Sequence, residues 1–169
     1  MLNILGMLDR PSAGEYFFFN EPVHKFSERK TSDLHKNHIG FIFQAYHLID
    51  ALTVYEKIET PPLYKGVKGK ERASMVVEML DRFQMVAKIF SLSNYLGGQQ
   101  QLVGVARAIV GNPKLLLAHE PADNLHSEQG LEIMEIFKDL NKEGCYLFRL
   151  LTLKRMRNLA QELYVWKTE

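Results

Sequence analysis

The most constraining feature of this chain is a short apolar run, Leu115 to Ala118, that contains no polar residue. A run of this length without polar alternation is typical of a parallel β-strand that is buried on both faces. The run ends at His119, Glu120 and Pro121. Because ligands bind beyond the carboxyl ends of the strands in open α/β sheets, this polar pair stands where chemistry would take place. The run therefore predicts an α/β fold with a candidate site at its end.

Other stretches predict the elements around this strand. The segments His38–Phe43 and Cys145–Leu151 read as further core strands, and Leu163–Lys167 reads as a final strand. In Lys70–Met85 and Ser127–Leu140 the apolar residues recur at steps of three and four, which indicates amphipathic helices. Helices and strands therefore alternate along much of the chain, as they do in α/β folds.

The start of the chain predicts three smaller elements. Apolar residues at helical spacing predict a helix over Met1–Asp9, and the aromatic segment Glu15–Asn20 predicts an antiparallel strand. Ser27 is a candidate cap for a polar helix over Ser27–Lys36. Near the other end, Arg149 interrupts a predicted core strand, which indicates either an edge strand or altered packing.

Composition narrows the class of protein. A chain of 169 residues fits one domain. Acids and bases are mixed along it and the net charge is +1, so we expect no nucleic-acid partner. Cys145 is the only cysteine, which excludes an internal disulfide. No apolar run approaches the ~18 residues of a transmembrane helix, so we expect no direct insertion into a membrane.

Several sequence blocks carry a resemblance to a known family. They are Leu2–Tyr16, which opens with Leu-Asn-Ile-Leu-Gly, then Ile39–Gln44, Gly97–Gln99 followed by Ala106-Arg-Ala, and Leu115–Leu125. Together they resemble the ATP-binding subunit of ABC transporters, and within it the lipoprotein-releasing and macrolide-exporting subfamily. The resemblance implies a P-loop NTPase-like domain with a mostly parallel core sheet. It also implies that residues 1–169 form one domain, with a helical subdomain at about residues 52–93.

The resemblance assigns roles to individual positions. Glu120 matches the carboxylate that polarises the attacking water, and Gln44 matches a glutamine that contacts the metal and this water. The family's signature segment binds the γ-phosphate of the ATP held by the opposite subunit, at a helix N-terminus. Its positions in this chain are Leu96, Gly97, Gly98 and Gln99.

Several of these positions depart from the family pattern. Leu96 replaces the signature serine, while His119 and His126 replace the aspartates that anchor Mg²⁺ and cross the dimer interface. Neutral imidazole is a poor ligand for Mg²⁺, which prefers hard oxygen atoms. The family's phosphate loop and the strand before it would precede Met1, so we expect both to be missing. We therefore expect impaired ATP hydrolysis and doubtful binding of ATP and Mg²⁺, the cofactors that the resemblance implies.

A zinc site is an alternative interpretation of the side chains of His119, Glu120 and His126. Pro121 prevents the helical face that a His-Glu-x-x-His site needs, and the spacing of the two histidines does not fit one. We therefore predict no metal site built from these side chains alone.

Two functions from different classes remain open. The first is the energy-coupling subunit of an ABC exporter, and the second is a catalytically inactive ABC-like remnant or a non-catalytic interaction protein. The resemblance implies a transmembrane permease partner, a homodimer or pseudo-dimer, and a cytoplasmic location beside the inner membrane. The aromatic and proline-rich stretch Ala45–Gly66 fits either a permease interface or the core of the helical subdomain.

Overall fold

The computed structural model describes residues 2–43, 51–85, 97–119, 127–152 and 161–166. In chain order its elements are α1 (Leu2–Leu5), β1 (Phe17–Phe18), β2 (Glu21–Pro22), a 3-10 helix (Val23–Lys25), α2 (Glu28–His38), β3 (Ile39–Ile42), α3 (Val54–Tyr64), α4 (Gly69–Arg82), α5 (Gly97–Ile109), β4 (Leu115–His119), α6 (Ser127–Lys142), β5 (Tyr146–Thr152) and β6 (Gln161–Trp166). None of these helices combines the length and the apolar character needed to cross a membrane.

The main sheet has the strand order β3-β4-β5-β6. β4 pairs in parallel with β3 on one side and with β5 on the other, and β6 joins β5 in the antiparallel direction. The four residues Leu115–Ala118 are all buried, as expected for a strand covered on both faces. The predicted α/β fold with a mostly parallel core sheet is confirmed.

β6 gives β5 a second neighbour in the sheet. The final strand predicted at Leu163–Lys167 is present as β6, which begins two residues earlier and places Tyr164 opposite Arg149. Since β5 is flanked by β4 and β6, it is an inner strand, and the alternative that Arg149 marks an edge strand is wrong.

The helices follow the predicted apolar periodicity with small changes at their ends. The predicted helix Lys70–Met85 is α4, and Ser127–Leu140 is α6. Ser27 caps α2, because its hydroxyl accepts a hydrogen bond from the backbone N–H of Lys30 at 3.4 Å. α3 begins with a capping box, in which the side chains of Thr53 and Glu56 each accept a bond from the other residue's backbone N–H.

The first elements are shorter than predicted. The helix expected over Met1–Asp9 is described only as α1, because Met7 has a φ of 60° and so leaves the right-handed helical region. The strand expected over Glu15–Asn20 is reduced to β1. Phe19 and Asn20 have φ values of 50° and 63°, so the chain turns there and β2 pairs back onto β1.

One hydrophobic cluster joins the helices to the sheet. α5 lies at its centre, packing against α3 and β3, while α4 packs against α3 and α6 contributes from a later part of the chain. The cluster includes fully or almost fully buried side chains from each of these elements: Ile42, Ile58, Leu80, Val103, Leu116 and Phe137. The described part of the chain therefore shares a continuous core.

Lys65 joins three helix ends outside this core. It is the C-cap residue of α3, directly after Tyr64. Its Nζ donates hydrogen bonds to the carbonyl oxygens of Asn37, at 3.1 Å, and Gly111, at 2.5 Å. These carbonyls lie in the last turn of α2 and just beyond α5, where the helix dipole is negative. A Cβ atom at position 111 would lie 2.8 Å from this Nζ, so the glycine leaves room for the ammonium group.

Replacing Lys65 by Met should lower the free energy of unfolding by about 1–3 kcal/mol, because two hydrogen bonds from a charged donor are lost while the aliphatic stem is kept. Lys68→Met is the matched control, since Lys68 is exposed and makes no side-chain capping bond at the start of α4. Urea unfolding of the three proteins measures the difference. Equal stabilities of the two variants would contradict this role of Lys65.

His35 carries a buried polar atom without a partner. Its Nε2 is shielded from solvent and makes no hydrogen bond within the described part of the chain. Its ring packs against Phe41, with ring centroids 5.6 Å apart. Burial lowers the pKa of His35 below its ordinary value of 6.5, so the neutral ring is the form that fits the fold.

Replacing His35 by Phe should weaken the dependence of stability on acid. A lowered pKa means that the unfolded chain binds the proton more readily, so the wild type loses stability as the pH falls below about 6.5. Some dependence should remain, because the pKa of His38 is lowered by burial and by Lys65 and Lys114. Thermal unfolding between about pH 7 and pH 5 measures both slopes. Identical slopes would contradict the assignment to His35.

Candidate functional site

The carboxyl ends of β3 and β4 lie at the same edge of the sheet. Their parallel register places Ile42 opposite Ala118, so the chain leaves the two strands at neighbouring points. His119 is the last residue of β4 and is partly exposed, whereas the four residues before it are buried. This edge is therefore the first place along β4 where a polar side chain can meet solvent or a ligand.

An aromatic pair leads out of β3 at this edge. The rings of Phe41 and Phe43 are stacked, with centroids 5.1 Å apart and planes 4° from parallel. Phe43 directly precedes Gln44, so the stacked rings hold the chain in place at the residue before Gln44. β3 and β4 are paired up to Ile42 and Ala118, and Phe43 and His119 are the next residues of the two segments.

The N-terminus of α5 points to the same edge of the sheet. α5 ends beside the beginning of β3, since a Cβ atom at Gly40 would lie 2.4 Å from the carbonyl oxygen of Ala108. A short connection then returns the chain into β4, so α5 runs opposite to the parallel strands.

The first turn of α5 contains three of the predicted site residues. Gly97 and Gly98 begin α5, and Gln99 follows them and is partly exposed. The first backbone N–H groups of a helix have no partner within it, and the dipole there is positive, so such a turn can donate hydrogen bonds to an anion. The predicted placement of these glycines at the start of a helix is observed.

Four predicted site residues lie outside the described residues. They are Gln44, Leu96, Glu120 and His126. Each of them has one described neighbour in the sequence: Phe43, Gly97, His119 and Ser127. Their chemical roles therefore stay predictions.

The chemistry of the described edge does not fit Mg²⁺. β4 ends in the imidazole of His119, and magnesium prefers carboxylate and other hard oxygen ligands. Within the described ranges, no three His, Cys, Asp or Glu side chains are grouped so as to hold a metal ion. No chemical step through a magnesium ion follows from these residues.

α5 holds two further polar residues that the sequence did not single out as site candidates. Gln101 is 3% exposed, and burial lowers the pKa of Arg107 below its ordinary value. Both make contacts within the fold. The sequence signal was available for Gln101, because it is the third glutamine of a run that enters an apolar helix and so must turn inward.

A protein-family model matches most of this chain. The ABC transporter model matches residues 1–123, which include β3, α5, β4 and the residues that follow His119. The match therefore covers the edge of the sheet described above.

Curated proteins with similar sequences include ABC proteins from several bacteria. An ABC transporter ATP-binding protein of Thermotoga maritima is 39% identical over 85% of this chain and 62% of its own length. The macrolide export ATP-binding/permease protein MacB 2 of Yersinia pestis bv. Antiqua (strain Antiqua) is 38% identical over 85% of this chain and 21% of its own length. The chain thus spans less than two thirds of these relatives.

Solved structures agree with the sequence matches. A dimeric structure of MJ0796, described as a bacterial ABC transporter cassette, matches with a TM-score of 0.80 and 34% identity over 88% of this chain and 66% of that chain. A dimeric post-hydrolysis state of the same cassette, bound to ADP and Pi, matches with a TM-score of 0.78 and 33% identity over the same shares. Family model, relatives and fold agree, and the chain belongs to the ABC transporter family.

Proposed function

We propose that this chain descends from the ATP-binding, energy-coupling subunit of an ABC exporter and that it is impaired in ATP hydrolysis. The ancestry is supported by the family match and by relatives named as macrolide export ATP-binding/permease proteins. The impairment rests on one observation, the imidazole of His119 at the end of the buried strand β4. In the family, the residue at this strand end is an aspartate, and its carboxylate anchors the Mg²⁺ beside the nucleotide.

The remaining site residues take proposed roles from their positions. Glu120 polarises the attacking water, and Gln44 contacts this water at the end of β3. In a dimer, the N-terminal turn of α5, formed by Gly97, Gly98 and Gln99, would meet the γ-phosphate of the ATP held by the opposite subunit. These backbone amides do not depend on a metal, so they support nucleotide binding more than they support hydrolysis.

Two replacements weaken the proposed γ-phosphate site and dimer contact. Leu96 offers no hydroxyl group to a phosphate oxygen, in contrast to the serine of the signature segment. His126 lacks the negative charge by which an aspartate favours the start of the following helix, α6. Both changes act in the same direction as His119, which is why we infer reduced hydrolysis.

We further propose that the chain acts as a dimer docked to a transmembrane permease on the cytoplasmic face of the inner membrane. The dimer is supported by the neighbouring structures, which are described as dimeric. A permease contact is supported by the end of α3, where Leu63 is 51% exposed and Tyr64 is 74% exposed. This end belongs to the helical subdomain that we propose at about residues 52–93 within a single domain.

The same exposed pair favours a second candidate function. A non-catalytic interaction protein would keep the apolar surface of Leu63 and Tyr64 while the nucleotide site decayed. The two functions differ in whether the chain still binds ATP, which is directly measurable.

Calorimetry of Mg²⁺-ATP binding, with hydrolysis measured beside it, separates these functions. We expect weak binding at millimolar nucleotide and little hydrolysis, and no further loss of hydrolysis in Glu120→Gln. If hydrolysis is substantial and disappears in Glu120→Gln, the proposed impairment is wrong. If ATP does not bind at all, the interaction protein replaces the first candidate.

Replacing His119 by Asp should restore a ligand for the metal. We expect Mg²⁺ to strengthen ATP binding by about tenfold more in His119→Asp than in the wild type, because an oxygen ligand replaces imidazole. His119→Asn is the matched control, since it is similar in shape to Asp but carries no charge. An equal response to Mg²⁺ in both variants would contradict the explanation of the impairment by His119.

A further inference from the structure

A cavity of about 460 Å³ opens near the start of the chain. It lies between α1 with the turn that follows it, the 3-10 helix and α2, on elements other than the strand ends described above. Its volume falls within the range of small-molecule sites. An apolar wall is formed by Ile4, Met7, Leu8, Val23 and Phe26. The apolar part of a ligand would displace water from this wall.

Charged groups of opposite sign stand at the rim of the cavity. Arg10 and Glu28 both line it, and both are exposed. Neither makes an ion pair with any residue in the described part of the chain. Asp9 differs, because its carboxylate accepts a hydrogen bond from the side-chain amide of Asn3 at 3.2 Å. Among the described residues, Arg10 and Glu28 are therefore a cation and an anion of the rim without an ion pair, and Asp9 is a second anion there whose carboxylate is bound by a neutral amide.

The inner polar wall has an unused hydrogen-bonding atom. Thr31 and Ser32 of α2 line the cavity together with His35, whose buried Nε2 has no partner within the described ranges. This nitrogen is shielded from solvent, so it is not a contact for a ligand in this conformation of the ring.

We propose that this cavity binds a small zwitterion with an apolar body, of the class of aromatic α-amino acids. The carboxylate of the ligand pairs with Arg10 and its ammonium group pairs with Glu28, while the ring lies against the part of the wall formed by Ile4, Met7 and Leu8. The ring of Phe26 already has the ammonium group of Lys30 over it, 3.7 Å from its centroid. Both unpaired charges at the rim are thereby used, and one molecule of this class fits the volume. The site is independent of the nucleotide function proposed above, so either can fail without the other.

Calorimetric titration of the full chain with L-phenylalanine tests the proposal. Two analogues that each carry one of the two charges, 3-phenylpropanoate and 2-phenylethylamine, serve as comparisons. We expect saturable binding of phenylalanine and at least about tenfold weaker binding of each analogue, because each lacks one ion pair. Absence of saturable phenylalanine binding at about 10 mM, or equal binding of all three compounds, would overturn the proposal.

Substitutions locate the binding in the cavity. Arg10→Gln and Glu28→Gln should each weaken phenylalanine binding about tenfold, and Arg29→Gln, an exposed neighbour outside the lining, should not change it. Thr31→Trp fills the cavity and should abolish binding, with circular dichroism showing whether the fold is kept. If Thr31→Trp does not fold, the Gln variants decide alone. Unchanged binding in both Arg10→Gln and Glu28→Gln would show that the ligand binds elsewhere and would overturn the proposal.

Discussion

Burial of β4 on both faces is the constraint on which the rest of the structure depends. Leu116, Leu117 and Ala118 are fully buried, and each leucine buried in this way stabilises the fold by about 1.5–3 kcal/mol relative to an exposed side chain. β3 and β5 supply the parallel partners, and α5 packs on the layer through the same core. A polar residue can follow only where β4 emerges, so the fold itself puts His119 at the candidate site.

The predictable part of the fold was the part encoded by local periodicity. The uninterrupted apolar run predicted β4, and apolar residues at steps of three and four predicted α4. The residue type of Ser27 predicted the cap of α2. The turn at Phe19 was not predictable, because a positive φ at a bulky aromatic residue has no propensity signal. The bonds of Lys65 to carbonyls 28 and 46 residues away were equally hidden, since they depend on three helix ends meeting in space.

The end of β4 and the start of α5 were predictable as places in the fold, and the roles of the residues there stay predictions. The apolar run predicted that His119 ends a buried strand, and the family resemblance predicted that Gly97 and Gly98 begin a helix; both placements are observed. The roles of the residues came from family resemblance, which transfers a function only where the side chain is kept. At His119 the strand end is kept and an imidazole stands where the resemblance implies a carboxylate, which is why we propose impaired hydrolysis for this chain. The cavity beside α2 was not predictable, because its lining comes from segments that share no sequence pattern.

We propose above that the end of β4 in this chain does not hold a magnesium ion together with ATP. The most direct test of this proposal is an NMR titration with Mn²⁺ and ATP, in which the paramagnetic ion takes the place of Mg²⁺ and broadens the resonances of nearby groups. We expect the ring resonances of His119 to broaden no more than those of His24, which lies on another element. Selective broadening of His119 at low Mn²⁺, dependent on ATP, would contradict the proposal and would show that a metal-nucleotide site persists at this strand end.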